Sequence, residues 1–212
     1  TSTPARLFPT TVVGSMPRPT YVQELLEASE DDFLSPEERR SGSDVAARYI
    51  IAMMEATGID IITDGEWRRH SYTDVFAQMV DGFVHDRALS ANYHTVVEPI
   101  SNHKPFIAEE ARFLKANTQR GVKVCLPSPF ILGQRMWHPE ASKKAYPTLR
   151  DFVRSTVPYL RAELEAVRDA GADVAQIDEP HLSGFCDPNA LGEFDDPDTD
   201  LDFLVECLNG VV

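Results

Sequence analysis

Short apolar runs alternate with longer amphipathic segments along most of this chain. One apolar run, Val174–Ile177, is bounded by Gly171 and Pro180 and follows a segment whose apolar residues recur at helical spacing. A helical period followed by a short apolar run is typical of an α/β unit. The run leads directly into two adjacent carboxylates, Asp178 and Glu179. Because α/β proteins bind ligands at the carboxyl ends of their strands, this position is a candidate site.

The two carboxylates are expected to have different roles. Successive side chains of a strand point to opposite faces, so Asp178 and Glu179 cannot both face one pocket. We expect one of them to face a site and the other to brace the loop. The plainer interpretation is a solvated loop whose aspartate caps a helix.

Three other predicted strands also end in polar or turn-forming residues, which favours a site built from several strand ends. Thr11–Val13 runs into Gly14-Ser15, Ile59–Thr63 runs into Asp64-Gly65-Glu66, and Val122–Leu126 runs into Pro127-Ser128-Pro129.

Helical periodicity predicts the segments between these strands. The clearest start is Ser35-Pro36, a capping serine followed by a proline at the first helical position. The apolar face of this helix, which runs to about Thr57, is predicted to comprise Val45, Ala46, Tyr49, Ile50, Met53 and Met54. The other predicted helices are Pro19–Ser29, Tyr72–Val80, Ala108–Thr118, Pro147–Ala170 and Leu201–Leu208. Between Gly82 and Ile107 the pattern is irregular, with β-type residues at His94–Pro99, and predicts an excursion or hairpin.

About five strand–helix units can be counted, which predicts a parallel sheet with right-handed crossovers. The sheet is either an open five-stranded one or the first five units of a (β/α)₈ TIM barrel, which needs eight units. We expect residues 1–212 to form a single, partial barrel domain.

Composition limits the partners. Hydrophobic residues make up 42% of the 212-residue chain and charged residues 25%, with no apolar run long enough to span a membrane. The net charge of −14 disfavours nucleic acid as a partner. The cysteines, Cys125, Cys186 and Cys207, are odd in number and widely spaced, which favours a reducing, cytoplasmic setting.

Four motifs, taken together and in order, carry a family resemblance. They are Thr11-Val12-Val13-Gly14-Ser15-Met16-Pro17, Ile62-Thr63-Asp64-Gly65-Glu66-Trp67-Arg68-Arg69, Leu126-Pro127-Ser128-Pro129 and Gln176-Ile177-Asp178-Glu179-Pro180. The chain resembles the cobalamin-independent methionine synthase family, specifically its catalytic C-terminal barrel and the shorter stand-alone homologues.

This resemblance implies a (β/α)₈ barrel that uses zinc to activate the thiol of homocysteine, which accepts a methyl group from methyltetrahydrofolate. Zinc suits this task because a metal with an open coordination position deprotonates a thiol. The family's zinc ligands follow the sixth strand and are expected beyond Val212. We therefore assign no metal ligand and no catalytic residue to this chain, and expect a further segment or a second polypeptide to complete the barrel.

The resemblance also implies roles for individual residues. Glu66 and Asp178 are expected to hold the amino group of homocysteine, and Ser15 its carboxylate. Ser128, which lies in the Pro-Ser-Pro turn, is expected to line the pocket. The alternatives are that Glu66 forms a salt bridge with Arg68 or Arg69 and that Ser15 only shapes a turn.

Two rival functions stay open. Arg68 and Arg69 would suit the sulfonate of coenzyme M, which favours a thiol alkyltransferase such as epoxyalkane:coenzyme M transferase; alternatively, they form a solvated helix start. Trp67 and Trp137 could stack on a pterin or belong to the core. The chain could also be a non-catalytic half-barrel subunit or fragment.

Overall fold

The computed structural model describes residues 7–27, 34–193 and 196–212. The helices are α1 (Thr20–Leu26), α2 (Pro36–Ala56), α3 (Phe76–Met79), α4 (Ile107–Asn117), α5 (Pro129–Met136), α6 (Leu149–Asp169) and α7 (Pro197–Val211). The strands are β1 (Ile61–Ile62), β2 (Asp81–Val84), β3 (Thr95–Ser101), β4 (Gly121–Pro127) and β5 (Val174–Asp178). Within these residues, every helix is too short or too polar to cross a bilayer.

Two sheets are present in the described part of the chain. The first has the strand order β1-β4-β5, and β1 pairs with β4 in parallel, with Ile61 opposite Gly121. The second is an antiparallel hairpin of β2 and β3. The hairpin confirms the predicted excursion, and most of His94–Pro99 lies in its strand β3. The main sheet of the described residues has three strands.

The chain folds as two compact units. Unit 1 comprises the residues up to Tyr72, Ile107–Cys125 and Val167–Ala175, and unit 2 comprises Thr73–Phe106, Leu126–Ala166 and Gln176–Val212. The buried residues of unit 1 come mainly from α2, α4 and the strands β1 and β4. Unit 2 has an apolar cluster of residues from α5, α6 and α7, namely Phe130, Val153, Phe203, Leu204 and Cys207.

Helix α2 begins as predicted but buries a face that is rotated about the helix axis from the predicted one. Ser35 accepts a hydrogen bond from the Glu38 N–H, and the Glu38 carboxylate accepts one from the Ser35 N–H, which completes a capping box. The buried residues are Ala46, Ala47, Ile50, Ile51 and Met54. The prediction was wrong for Val45, Tyr49 and Met53, which are exposed. A helix that packs on one side buries positions i, i+1, i+4, i+5 and i+8, and these three lie just outside that stripe.

The first predicted strand, Thr11–Val13, is not formed as a regular strand. The Thr10 carbonyl accepts hydrogen bonds from the N–H groups of Asp60 and Ile61, and the Thr11 hydroxyl donates to the Ile61 carbonyl. These contacts hold the segment beside the start of β1, but they involve too few residues to form the hydrogen-bond ladder of a strand.

The remaining boundaries also differ from prediction. Predicted helix Tyr72–Val80 shortens to α3, and α7 extends well beyond the predicted Leu201–Leu208. Helix α1 ends at Leu26, and Ser29 lies outside the described residues. The predictions for α4, β4, α6 and β5 are confirmed to within two residues at each end.

Candidate functional site

The turn that follows β1, Thr63–His70, places a carboxylate on a strained backbone; we call it the Glu66 turn. Gly65 and Glu66 both lie in the left-handed region, with φ of 63° and 58°. Glycine adopts this conformation freely, whereas a residue with a Cβ pays roughly 1–2 kcal/mol for it. A methyl group on Gly65 would lie 3.1 Å from the Met16 Cβ, so the turn also lacks space there. Strain of this kind persists only where the surroundings enforce it, and it is common at functional sites.

Neighbouring groups hold Glu66 from three sides. Its N–H donates to Asp64 Oδ1 at 2.9 Å, its carbonyl accepts from Arg18 Nη2 at 2.8 Å, and its carboxylate accepts from the Ser15 hydroxyl. Glu66 is 4% exposed, whereas Ser15 is exposed. The predicted residues Ser15 and Glu66 are thus brought into direct contact in unit 1.

Arg69, in the Glu66 turn, forms a buried ion pair with Glu110. Arg69 is buried and donates from Nε to both Glu110 oxygens, at 2.9 and 3.0 Å, and from Nη1 to the Cys125 carbonyl at 2.9 Å. Burial alone would lower the pKa of Arg69, but the Glu110 carboxylate raises it well above its ordinary value. Burial raises the pKa of the Glu110 carboxyl to about 7, and the Arg69 guanidinium opposes that rise.

The contacts of this turn decide between the alternative roles of Arg68, Arg69 and Trp67. The Arg69 guanidinium is not a solvated helix start, and its ion pair among the described residues is with Glu110 rather than with Glu66. Arg68 lies 3.1 Å from Asp44 and stacks over the Phe113 ring at 4.5 Å. Trp67 is buried, stacks on Tyr49 and donates to the Met16 carbonyl, so it is a core residue.

Two further residues of unit 1 were not predicted to matter. Lys123, on β4, is buried and donates from Nζ to the carbonyls of Val12 and Val13, just before Ser15. Cys125, which is also buried on β4, has its Sγ within 4.8 Å of a Glu66 carboxylate oxygen. The alternation of β4 is the signal that could have found them, since residues 123 and 125 share a strand face.

In unit 2, the predicted residue Asp178, which ends β5, is a neighbour of the predicted residue Ser128, which precedes α5. We call residues Gln176–His181 the Asp178 turn. The Asp178 carboxylate accepts from the Gln176 amide at 2.5 Å, and its carbonyl accepts from the Ser128 N–H at 3.1 Å. Asp178 is half-buried.

Glu179 braces this turn. Its carboxylate binds the Ser128 hydroxyl and accepts from the His181 N–H at 2.9 Å. Burial raises the pKa of Glu179, against the effect of the Ser128 hydrogen bond. Ser128 is fully buried and also caps α5 by accepting from the Ile131 N–H. Trp137, at the end of α5, is half-buried and donates to the Tyr146 carbonyl.

Sequence comparison decides the family. Residues 8–202 match the model of a family described as the cobalamin-independent synthase catalytic domain. The chain belongs to this family. The matched region contains all four motifs that carry the resemblance.

Relatives of the synthase family support the same assignment. The chain is 27% identical over 183 residues to the methionine synthase of Sulfurisphaera tokodaii, and 26% identical over 183 residues to that of Pyrococcus furiosus. Each alignment covers 83% of this chain and 53% of the relative. The chain thus spans about half the length of the curated synthases that it matches.

Solved synthase structures share the fold. A B12-independent methionine synthase from Shewanella sp. W3-18-1, in complex with selenomethionine, superposes with a TM-score of 0.71 at 25% identity, over 97% of this chain and 58% of that one. A putative vitamin-B12 independent methionine synthase from Listeria monocytogenes gives a TM-score of 0.73 at 22% identity, over 96% of this chain and 60% of that one. The α/β fold of this chain is therefore that of the cobalamin-independent synthases.

Proposed function

We propose that this chain supplies the amino-acid-binding part of a zinc-dependent methyltransferase that moves a methyl group from methyltetrahydrofolate, in its polyglutamate form, to homocysteine and yields methionine. The observation that carries the proposal is the Glu66 turn. It presents a buried carboxylate on a strained backbone, in hydrogen-bonding contact with an exposed serine hydroxyl, within a domain of the cobalamin-independent synthase family.

Glu66 and Ser15 suit the two charged ends of an amino acid. A carboxylate that is already desolvated gains a charge-assisted hydrogen bond from an ammonium group. When that ammonium binds Glu66, the Ser15 hydroxyl is released and can donate a hydrogen bond to the substrate carboxylate. We propose these roles for Glu66 and Ser15, with Asp178 as a second carboxylate for the ammonium, as the family resemblance implies.

We propose an indirect role for Ser128. Its hydroxyl is occupied by Glu179 and by the Ile131 N–H, and its own N–H binds the Asp178 carbonyl. Ser128 would therefore contribute to the pocket wall by fixing the Asp178 turn rather than by donating its hydroxyl to a substrate.

Zinc is expected from the family, and unit 1 contributes two groups that could act as donors. They are the Cys125 thiol and the Glu66 carboxylate, which lie within 4.8 Å of each other. A catalytic zinc takes three protein ligands in addition to its open position, and the family resemblance implies that these ligands follow the sixth strand. We therefore propose that the ligands lie after Val212 in a longer product or in a second polypeptide. We assign substrate binding, not thiol activation, to the residues described.

We further propose that residues 1–212 form one partial domain, about the first five strand–helix units of a (β/α)₈ barrel. The similarity to solved synthases over most of this chain and about three-fifths of theirs supports this view. A function as a half-barrel that needs a completing segment is compatible with the same coverage.

The coenzyme M alternative loses its residue-level support. It depended on Arg68 and Arg69 as partners of a sulfonate, and both guanidinium groups are bound to carboxylates of unit 1.

Ligand binding to the full chain tests the proposal. NMR titration with L-homocysteine should shift the signals of the Glu66 turn, and coenzyme M at the same concentration should leave them unchanged. Binding of coenzyme M alone would favour the alternative, and binding of neither would refute an amino-acid site in this chain. The complete protein, assayed with methyltetrahydrofolate and homocysteine, should form methionine.

A further inference from the structure

The segment Ser15–Arg18 fastens the Glu66 turn at several points. The Met16 N–H donates to the Gly65 carbonyl at 3.0 Å, and the Trp67 indole donates back to the Met16 carbonyl at 3.3 Å. Arg18 also contacts the turn. Its Nη2 donates to the Glu66 carbonyl at 2.8 Å, and its Nη1 donates to the His70 carbonyl at 3.3 Å. One guanidinium therefore bridges two carbonyls on either side of the turn.

This guanidinium occupies an unfavourable environment. Arg18 is half-buried, and burial lowers its pKa, while the carboxylates of Glu66 and Asp64 oppose that change. Its Nε is buried and has no hydrogen-bond partner among the described residues. An unpaired buried donor is destabilising, so the position is not explained by stability alone.

We propose that Arg18 is a positioning residue for Glu66: it holds the carbonyl of a residue whose backbone is strained, and so keeps the Glu66 carboxylate aimed at the substrate's ammonium. This inference rests on the proposed function, since it assigns the ammonium to Glu66. Among the hydrogen bonds of the described residues, Arg18 donates to the Glu66 carbonyl and not to its carboxylate, on which it acts only through its charge.

The geometry requires an arginine. A planar guanidinium can donate from two nitrogens to two carbonyls at once, whereas a lysine ammonium is a single point donor. Arg18→Lys should therefore keep the charge but hold only one side of the turn. Arg68 provides a matched control in the same turn, because its guanidinium binds Asp44 and stacks on Phe113 instead.

The test compares two ligands that differ only in the amino group. L-homocysteine and γ-mercaptobutanoate, its deaminated analogue, are titrated into the full chain and into the variants Arg18→Met, Arg18→Lys and Arg68→Met, with affinity measured by NMR. In the wild-type chain L-homocysteine should bind more tightly. Arg18→Met should reduce that preference by about ten-fold, the contribution of one charge-assisted hydrogen bond, without weakening the analogue. Arg68→Met should leave the preference unchanged.

The outcomes separate the inference from the proposal on which it rests. If the wild-type chain binds both ligands equally, the role of Glu66 is wrong, and the role of Arg18 falls with it. If the wild-type chain discriminates and Arg18→Met retains the full preference, or weakens both ligands equally, only the positioning role is wrong. If Arg18→Met fails to fold, Arg18→Lys decides, because a reduced preference supports the inference and an unchanged preference overturns it.

Discussion

The Glu66 turn and the Asp178 turn both lie at the carboxyl end of a strand and both present a carboxylate, but they are stabilised in different ways. Glu66 is 4% exposed, and its backbone is left-handed and held by contacts to its N–H, its carbonyl and its side chain. Asp178 is half-buried, and much of the bracing falls on its neighbour, through the contacts of Glu179 with Ser128 and His181.

The difference indicates which residue of each turn is held in place by its neighbours. In the Glu66 turn, the residue that would bind substrate is itself the one under strain, so its supports should be costly to remove. In the Asp178 turn, the bracing and the proposed binding are divided between adjacent residues. Substitution of Glu179 should then affect the stability of the fold, and substitution of Asp178 should affect the affinity for the ligand.

The largest expected effect is the loss of the ion pair behind the Glu66 turn. Arg69→Met removes the guanidinium and leaves the Glu110 carboxylate buried beside Asp64, which should lower the free energy of unfolding by about 3–5 kcal/mol. The control is Arg112→Met, which breaks an exposed pair with Glu109 and should change stability by no more than about 1 kcal/mol. Urea denaturation measures both. Equal effects in the two variants would show that the buried pair is not structurally important.

The next effect concerns the turn's backbone. Gly65→Ala should cost about 2–4 kcal/mol, because it adds a left-handed alanine and a contact at 3.1 Å with Met16. Gly171→Ala shares the positive φ, but its nearest neighbour would be Lys115 at 3.9 Å, so only the conformational cost of about 1 kcal/mol should remain. Denaturation of the two variants under identical conditions separates crowding from backbone strain. A cost at Gly171 as large as that at Gly65 would contradict crowding by Met16.

Binding provides the third comparison. Asp178→Asn and Glu66→Gln should each weaken binding of L-homocysteine by about ten- to a hundred-fold, since a charge-assisted hydrogen bond contributes roughly 1.5–3 kcal/mol. The double variant should lose less than the sum, because both carboxylates would serve one ammonium. Calorimetric titration of the chain gives the affinities. Strictly additive losses would indicate two independent contacts.

Local sequence patterns were sufficient for most of the elements. The Ser35-Pro36 start was recognised, and the same signal is present at Ser128-Pro129 and Asp196-Pro197, where α5 and the true start of α7 were missed. In each case a side-chain oxygen caps the helix and a proline follows at its first position. A consistent use of that one rule would have placed both helices.

The supports of the candidate site could not be predicted in the same way. The pairing of Arg69 with Glu110 joins residues 41 positions apart, and Arg18 reaches the Glu66 carbonyl across 48. Such contacts depend on how the elements pack, and no local period encodes them. The resemblance placed Ser15 and Glu66 in one site, but the left-handed backbone of a glutamate has no signature in the sequence.

The smallest expected effect is at Glu179, and its sign depends on pH. Because burial raises the pKa of Glu179 in the folded state, the fold favours the protonated form. The stabilisation is fully present below the unfolded-state pKa and is lost as the pH rises through the folded-state pKa. In Glu179→Gln, which stays neutral, this loss should be absent. The variant should therefore gain stability relative to the wild type as the pH rises through and just above the ordinary glutamate range.

The comparison with Asp178→Asn completes this test. Urea denaturation at a series of pH values should show the relative gain for Glu179→Gln, while its affinity for L-homocysteine stays close to the wild-type value. Asp178→Asn should show the opposite pattern, with wild-type stability and reduced affinity. If Glu179→Gln abolishes homocysteine binding while Asp178→Asn unfolds the chain, the two adjacent carboxylates have exchanged roles, and Glu179 is the one that faces the substrate.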